Sequence, residues 1–314
     1  MSDTLAVPLQ PDAADAGLPA PRPRHTVVAL LLSLYDPTLG YMYVGRLGRG
    51  LALVAALTAA TAVALYATLV VDSVLLRWAV FPVLIVLRVW LTADAVVIAR
   101  HEGKDFRLRR YNRWWAYLAW VVAASFVSPA LFNAATTHLA RAFSFPARSM
   151  RPTIEPGDLL LARVGVQHAP RRGELVVAHS GEEMFILRVV GTPGDVIRSA
   201  GGKLTLNGRP LAEPYAHSDF PIDTAVADLA WQRPYLVGVE DPAHVRLTPD
   251  DWGPIRVPAG RYLLLGDDRG YAQDGRYTGF TPLGAIFGRP RWIYFSRDPE
   301  TGAIRWSRID RGIE

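Results

Sequence analysis

Cysteine is absent from this sequence, and lysine occurs only at Lys104 and Lys203. Without cysteine there is no disulfide framework and no thiolate metal site, so any stability comes without staples. The redox compartment is left open by that absence. Charge is also scarce: 20% of the 314 residues are charged, against about 25% in an ordinary soluble chain. Half of the residues are apolar and the mean hydropathy is +0.14, which excludes a disordered chain or a coiled coil and leans towards a membrane. The net charge of +5 is carried almost wholly by arginine, whose guanidinium does not give up its proton. No metal and no cofactor is expected.

Residues 1–25 are rich in Pro, Ala and Asp and read as a disordered tail. Residues 26–140 form a membrane domain of three to four hydrophobic segments. Leu51–Val71 is an uncharged run long enough to span a bilayer. Trp78–Ala99 is a second span, carrying Arg88 and Asp94, and Trp114–Asn133 is a third, entered through an aromatic pair suited to an interface. Arg88 and Asp94 are six residues apart and do not face each other on a helix, so a structural pair with Asp36 or Asp72 is expected. Thr26–Tyr35 is short and meets Asp36-Pro37 and Gly40, which predicts a broken or re-entrant hairpin through Tyr43, with a short full span as the alternative.

The segment Arg100–Arg113 holds six basic residues against Glu102 and Asp105. A short basic loop stays cytoplasmic and contacts anionic lipids, and Arg46 and Arg49 belong on the same side. Everything after about Ala140 then lies outside, in a multi-pass protein of a bacterial inner membrane with a periplasmic or extracellular C-terminal domain. A nucleic-acid partner has no supporting fold; membrane lipids are the expected contacts.

From residue 141 to 314 the pattern becomes short β-prone runs between Pro and Gly. Leu159–Val164, Glu174–Ala178, Met184–Val190, Arg261–Leu265 and Arg291–Phe295 read as strands. Lys203–Leu206 and Arg209–Leu211 flank Asn207-Gly208, a type I′ hairpin signal. The fold class is thus membrane helices followed by a mostly-β extracytoplasmic domain. The stretch from Tyr215 to Trp252 has no assignment beyond an insertion that shapes a groove.

Three stretches carry chemistry. The first is Phe145-Pro-Ala-Arg-Ser-Met-Arg-Pro-Thr-Ile-Glu-Pro-Gly-Asp158, the second Phe185-Ile-Leu-Arg-Val-Val-Gly-Thr-Pro-Gly-Asp195, and the third Leu265-Gly-Asp-Asp-Arg269 with Asp274-Gly-Arg276. In this order, behind an outward-going span, they resemble the boxes of the type I signal peptidases. The resemblance covers about 145–297 and implies a signal-peptidase-type β fold and a serine–lysine endopeptidase acting on signal peptides of exported preproteins. It makes Ser149 the nucleophile, Pro146 and Met150 substrate-binding neighbours, and Gly266, Asp267, Arg269, Asp274 and Arg276 framework residues.

The chain departs from the family pattern where the proton must go. A serine hydroxyl needs a base, and the family's lysine position is Leu187. The adjacent Arg188 stays protonated. Two serines that the resemblance places around this machinery are Ala147, at the oxyanion, and Ala272, beside the lysine; Asp268 replaces an asparagine. Losing one oxyanion donor costs about 10²–10³ in kcat. Some eukaryotic relatives use histidine, but at the lysine position. His168 and His179 read as exposed loop histidines, and Lys203 lies in a hairpin remote from the site. These changes favour a module that binds signal-peptide-like segments without cutting, or assists a partner signal peptidase. The alternative is an active endopeptidase working through Ser149 with another base.

Overall fold

The computed structural model describes residues 23–71, 73–102, 106, 108–165, 168–181, 183–218 and 229–313. The tail through residue 22, Asp72, Lys104, Asp105, Arg107 and the middle of the 215–252 stretch lie outside these. The chain divides into two compact units, Met1–Ala130 and Leu131–Glu314.

The first unit is helical. Helix α1 (Thr26–Tyr35) stops at Asp36, and α2 (Pro37–Tyr43) starts directly after it. Proline at the first position suits a helix start, and the Asp36 side chain caps α2 by accepting from the Thr38 amide at 2.7 Å. The two short helices pack on each other, the broken hairpin that Asp36-Pro37 predicts. Gly40 permits this approach: a Cβ there would lie 1.7 Å from Ser33 Oγ and 3.3 Å from its Cα.

Three longer helices follow, α3 (Leu47–Val70), α4 (Val74–Glu102) and α5 (Trp114–His138). All three are long and apolar enough to cross a membrane. They leave large apolar side chains such as Val63, Leu75, Phe81 and Phe132 exposed, a surface suited to lipid rather than water.

The charges within these helices are satisfied differently from the sequence expectation. Arg88 donates to the carbonyls of Leu34 and Tyr35 at 3.1 and 3.2 Å, rather than to the Asp36 carboxylate. Those carbonyls end α1 and lack intrahelical partners. Asp94 pairs with Arg49 at 2.8 Å and accepts from the Tyr41 hydroxyl at 2.5 Å. Asp36 instead accepts from Trp120 Nε1.

The second unit begins before α5 has ended, the division falling inside that helix. Only Leu139 separates α5 from β1 (Ala140–Phe145), so the helix passes almost directly into a strand. Eight strands form the main sheet: β1, β2 (Asp158–Val164), β3 (Leu175–Ser180), β4 (Glu183–Gly191), β9 (Arg261–Leu265), β10 (Thr281–Pro282), β11 (Ile286–Ser296) and β12 (Arg311–Gly312). Their order is β1-β2-β11-β3-β4-β9-β10, with β12 on β11, and the pairings are antiparallel. A second sheet has the order β7-β6-β5-β8, from β5 (Val196–Ala200), β6 (Lys203–Leu206), β7 (Arg209–Pro210) and β8 (Trp252–Arg256). Asn207 and Gly208 take φ of 50° and 80°, as the type I′ turn requires.

Asp195 ties the turn between β4 and β5. It accepts from Arg172 Nη2 at 2.8 Å, from the Thr192 amide and hydroxyl, and from Asn207 Nδ2. Burial alone would raise its pKa, but these hydrogen bonds outweigh burial and hold the carboxyl below its ordinary value. A folded pKa below the unfolded one, about 3.9, gives stability that is present above that pH. It is lost as pH falls through the folded value. Asp195→Asn is expected to lower the denaturant midpoint at pH 7, and the gap from the parent protein to narrow as pH falls below the ordinary carboxylate range.

Candidate active site

The first box follows β1. Phe145 is buried, and Pro146 and Ala147 are exposed on the way into a turn closed by the Arg151 amide on the Arg148 carbonyl at 3.1 Å. Met150 anchors that turn, fully buried in the core with Ile154, Leu160 and Leu187. Ser149, just before the anchor, is half-buried. Its carbonyl accepts from the Asp268 amide at 3.0 Å, which fixes the first box to the third. Gly266 is needed here, because a Cβ on it would sit 2.5 Å from the Ser149 carbonyl oxygen and 2.3 Å from Ala272 Cβ.

The second box reaches the same place. Leu187 lies on β4 opposite Val176 of β3, and Arg188 lies opposite Leu265 of β9. Continuing that antiparallel register by one residue sets Leu187 across from Gly266, about one strand spacing (~4.8 Å) away. Ser149, Leu187, Gly266 and Ala272, far apart in sequence, thus converge. Leu187 and Ala272 are 5% and 4% exposed, so both side chains are packed away from solvent.

The framework residues take part in three ion pairs. Arg188 grips Asp267 bidentately at 2.8 and 2.7 Å, donates to the Gly173 carbonyl and lies 4.0 Å above the Tyr215 ring. The Thr153 hydroxyl completes Asp267 at 2.5 Å. Burial and the charge of Glu213 push the Tyr215 phenol up to about 12, against the opposing pull of Arg188 and Arg269. Arg276 pairs with Asp274 at 2.9 Å, and Asp274 also accepts from the Gly266 amide. Arg269 pairs with Glu213 at 2.5 Å. A cavity of about 630 Å³ lies on the Arg188 side, lined by Thr153, Tyr215 and Arg308; Ser149 does not line it.

The other basic side chains are placed as follows. Lys203 is exposed on β6 in the second sheet. His168 is exposed, with its ring nitrogens at 3.0 and 3.2 Å from the Arg289 guanidinium. His179 is on a strand, β3, rather than in a loop, against Met184. That is three residues from Val176, about 10 Å along the chain. One histidine escaped the sequence reading. His217 pairs by a parallel bridge with Asp268, the residue whose amide holds Ser149. The buried partner of Arg188 was also not read from the sequence, although a lone charge within an apolar strand is a signal for one; nothing local marks His217.

Helices long and apolar enough to cross a membrane thus lead into an antiparallel β domain in which a serine turn is held against an aspartate–arginine frame. Residues 115–295 match the family described as signal peptidase, peptidase S26. The chain is 33% identical over 166 residues to signal peptidase I of Leptolyngbya laminosa, covering 49% of this chain and 68% of that one. It is 32% identical over 160 residues to signal peptidase I of Pseudomonas fluorescens, covering 44% and 55%. A solved signal peptidase I from Enterococcus faecalis V583 aligns at 24% identity over 39% of this chain and 97% of that one, with a TM-score of 0.27. The chain belongs to the S26 signal peptidase family.

Proposed function

We propose that this protein holds signal-peptide segments of exported preproteins at the outer face of a bacterial inner membrane, with cleavage lost or much reduced. In this reading the basic segment 100–113 is cytoplasmic and the β domain faces outward. Ser149 is the family's nucleophile position and the exposed Pro146 borders the substrate, while Met150, named with it from the sequence, is buried and instead holds the turn in place. The observation that carries the reading is the burial of Leu187 and Ala272 beside the Ser149 turn. A base has to lie within about 3 Å of the reacting hydroxyl, and the position from which the family's lysine would reach is occupied by an alkyl side chain.

A second reading, an active endopeptidase, is favoured by His217. The strand spacing of ~4.8 Å puts its backbone about two strands from that of Ser149, across Asp268. In that case Asp268, in place of the family's asparagine, would orient an imidazole.

The test is a fluorescent signal peptide with an Ala-x-Ala site, incubated with the full chain in detergent and followed by anisotropy and mass. The expected result is saturable binding, abolished for a peptide with charges in its apolar core, and an intact peptide mass. Cleavage that disappears in both Ser149→Ala and His217→Ala would establish the second reading instead.

A further inference from the structure

A groove of about 800 Å³ runs along the helical unit between α2, α3 and α5, and neither the family assignment nor the site above uses it. Its walls are apolar: Met42 from α2, and Leu47 and Leu51 from α3. On α5 the groove follows Ala116, Ala119 and Ala123, which share one helix face and leave room where larger side chains would fill it. At one end the character changes abruptly, to Arg110 and Arg113. Neither arginine has an ion pair or a side-chain hydrogen bond among the described residues.

Two guanidiniums with no carboxylate partner among the described residues, above a greasy slot, suit an amphipathic anion. From Arg113 to Ala123 the helix rises about 15 Å, which is half of a ~30 Å hydrocarbon core and so the depth of one leaflet. We propose that this groove binds one anionic phospholipid, with its phosphate on Arg110 and Arg113 and an acyl chain along the alanine face of α5. Arginine suits a phosphate because its planar fork donates two hydrogen bonds to two oxygens. A signal peptide is the obvious rival occupant in this family. Its apolar core follows a positively charged segment, which the two arginines would repel. A zwitterionic lipid brings a cationic headgroup to the same place and is disfavoured for the same reason. The inference requires α3–α5 to lie in a bilayer and is independent of whether the β domain cuts peptides.

The experiment is native mass spectrometry of the full chain, delipidated in detergent and titrated with phosphatidylglycerol or phosphatidylcholine of matched chains. The expected result is one phosphatidylglycerol bound at least about tenfold more tightly than phosphatidylcholine. In Arg110→Gln/Arg113→Gln the preference is expected to vanish. Ala119→Trp should block the groove and remove tight binding of both lipids, with far-UV circular dichroism unchanged as the check on folding. Glycerol phosphate alone should not compete. Equal binding of the two lipids, a preference that survives the double glutamine change, competition by glycerol phosphate, or displacement of the lipid by a signal peptide would each overturn the proposal. Peptide-binding failure in the β domain leaves all of these readouts intact, so the two inferences fail separately.

Discussion

Replacing Asp267 by alanine is expected to cost the β domain about 3–5 kcal/mol, the range for removing one partner of a buried ion pair. Both oxygens of this carboxylate are used, by two nitrogens of Arg188 and by the Thr153 hydroxyl. Arg188 is 3% exposed, so its charge is largely shielded from water once the carboxylate is gone. What remains for it is the Gly173 carbonyl and the face of Tyr215. A cation–π contact is worth about 2 kcal/mol when desolvated and cannot replace the lost charge pair. Asp267→Asn retains the shape but not the charge, and should fall between the two. The readout is the denaturant midpoint in detergent, followed by tryptophan fluorescence. A loss below about 1 kcal/mol, the scale of an exposed pair, would mean that Arg188 reaches solvent.

Leu187→Lys is expected to be nearly as damaging at neutral pH, and the damage should depend on pH. The side chain it replaces is 5% exposed within the main core, where an amine is held neutral by burial and its pKa is depressed. The unfolded chain keeps the ordinary value of about 10.4. Between the depressed folded pKa and that value the unfolded state binds more protons, so the variant gains stability as pH rises. The gain should approach about 1.4 kcal/mol per pH unit. The penalty should therefore be largest at or below neutral pH and shrink towards pH 10. Leu187→Met, which conserves volume, should cost less than about 1.5 kcal/mol at every pH. A penalty for lysine that does not change with pH would mean that its amine has found water or a carboxylate.

Local chemistry made much of this molecule legible. The apolar runs located α3, α4 and α5, and Asp36-Pro37 located the break between α1 and α2. The Asn207-Gly208 turn and strand β9 were visible for the same reason, because a turn type or a short apolar run is written in adjacent residues. What was hidden depends on residues far apart. Asp94 finds Arg49, 45 positions away, and Arg88 finds the end of α1. No helical period announces either contact. Strand β8 contains Gly253 and Pro254, which read as a turn and conceal a strand. Strand β1 was missed because α5 runs almost into it, so no Pro or Gly marks the change. In the site, the three boxes showed which residues would meet, but only the register of β4 against β9 sets Leu187 opposite Gly266. His217 was invisible because its place comes from a single bridge to Asp268.

The claim that the Ser149 site lacks a working base is tested most directly by cleavage of a preprotein with an Ala-x-Ala site. The wild-type chain, Ser149→Ala and the double variant Leu187→Lys/Ala272→Ser are compared in detergent at pH 8 to 10, where a buried lysine is most readily neutral. The expected result is no cleavage by the wild type or by Ser149→Ala, and cleavage by the double variant that disappears when Ser149→Ala is added to it. Cleavage by the wild type that is lost in Ser149→Ala would contradict the account, because Ser149 would then already have a base.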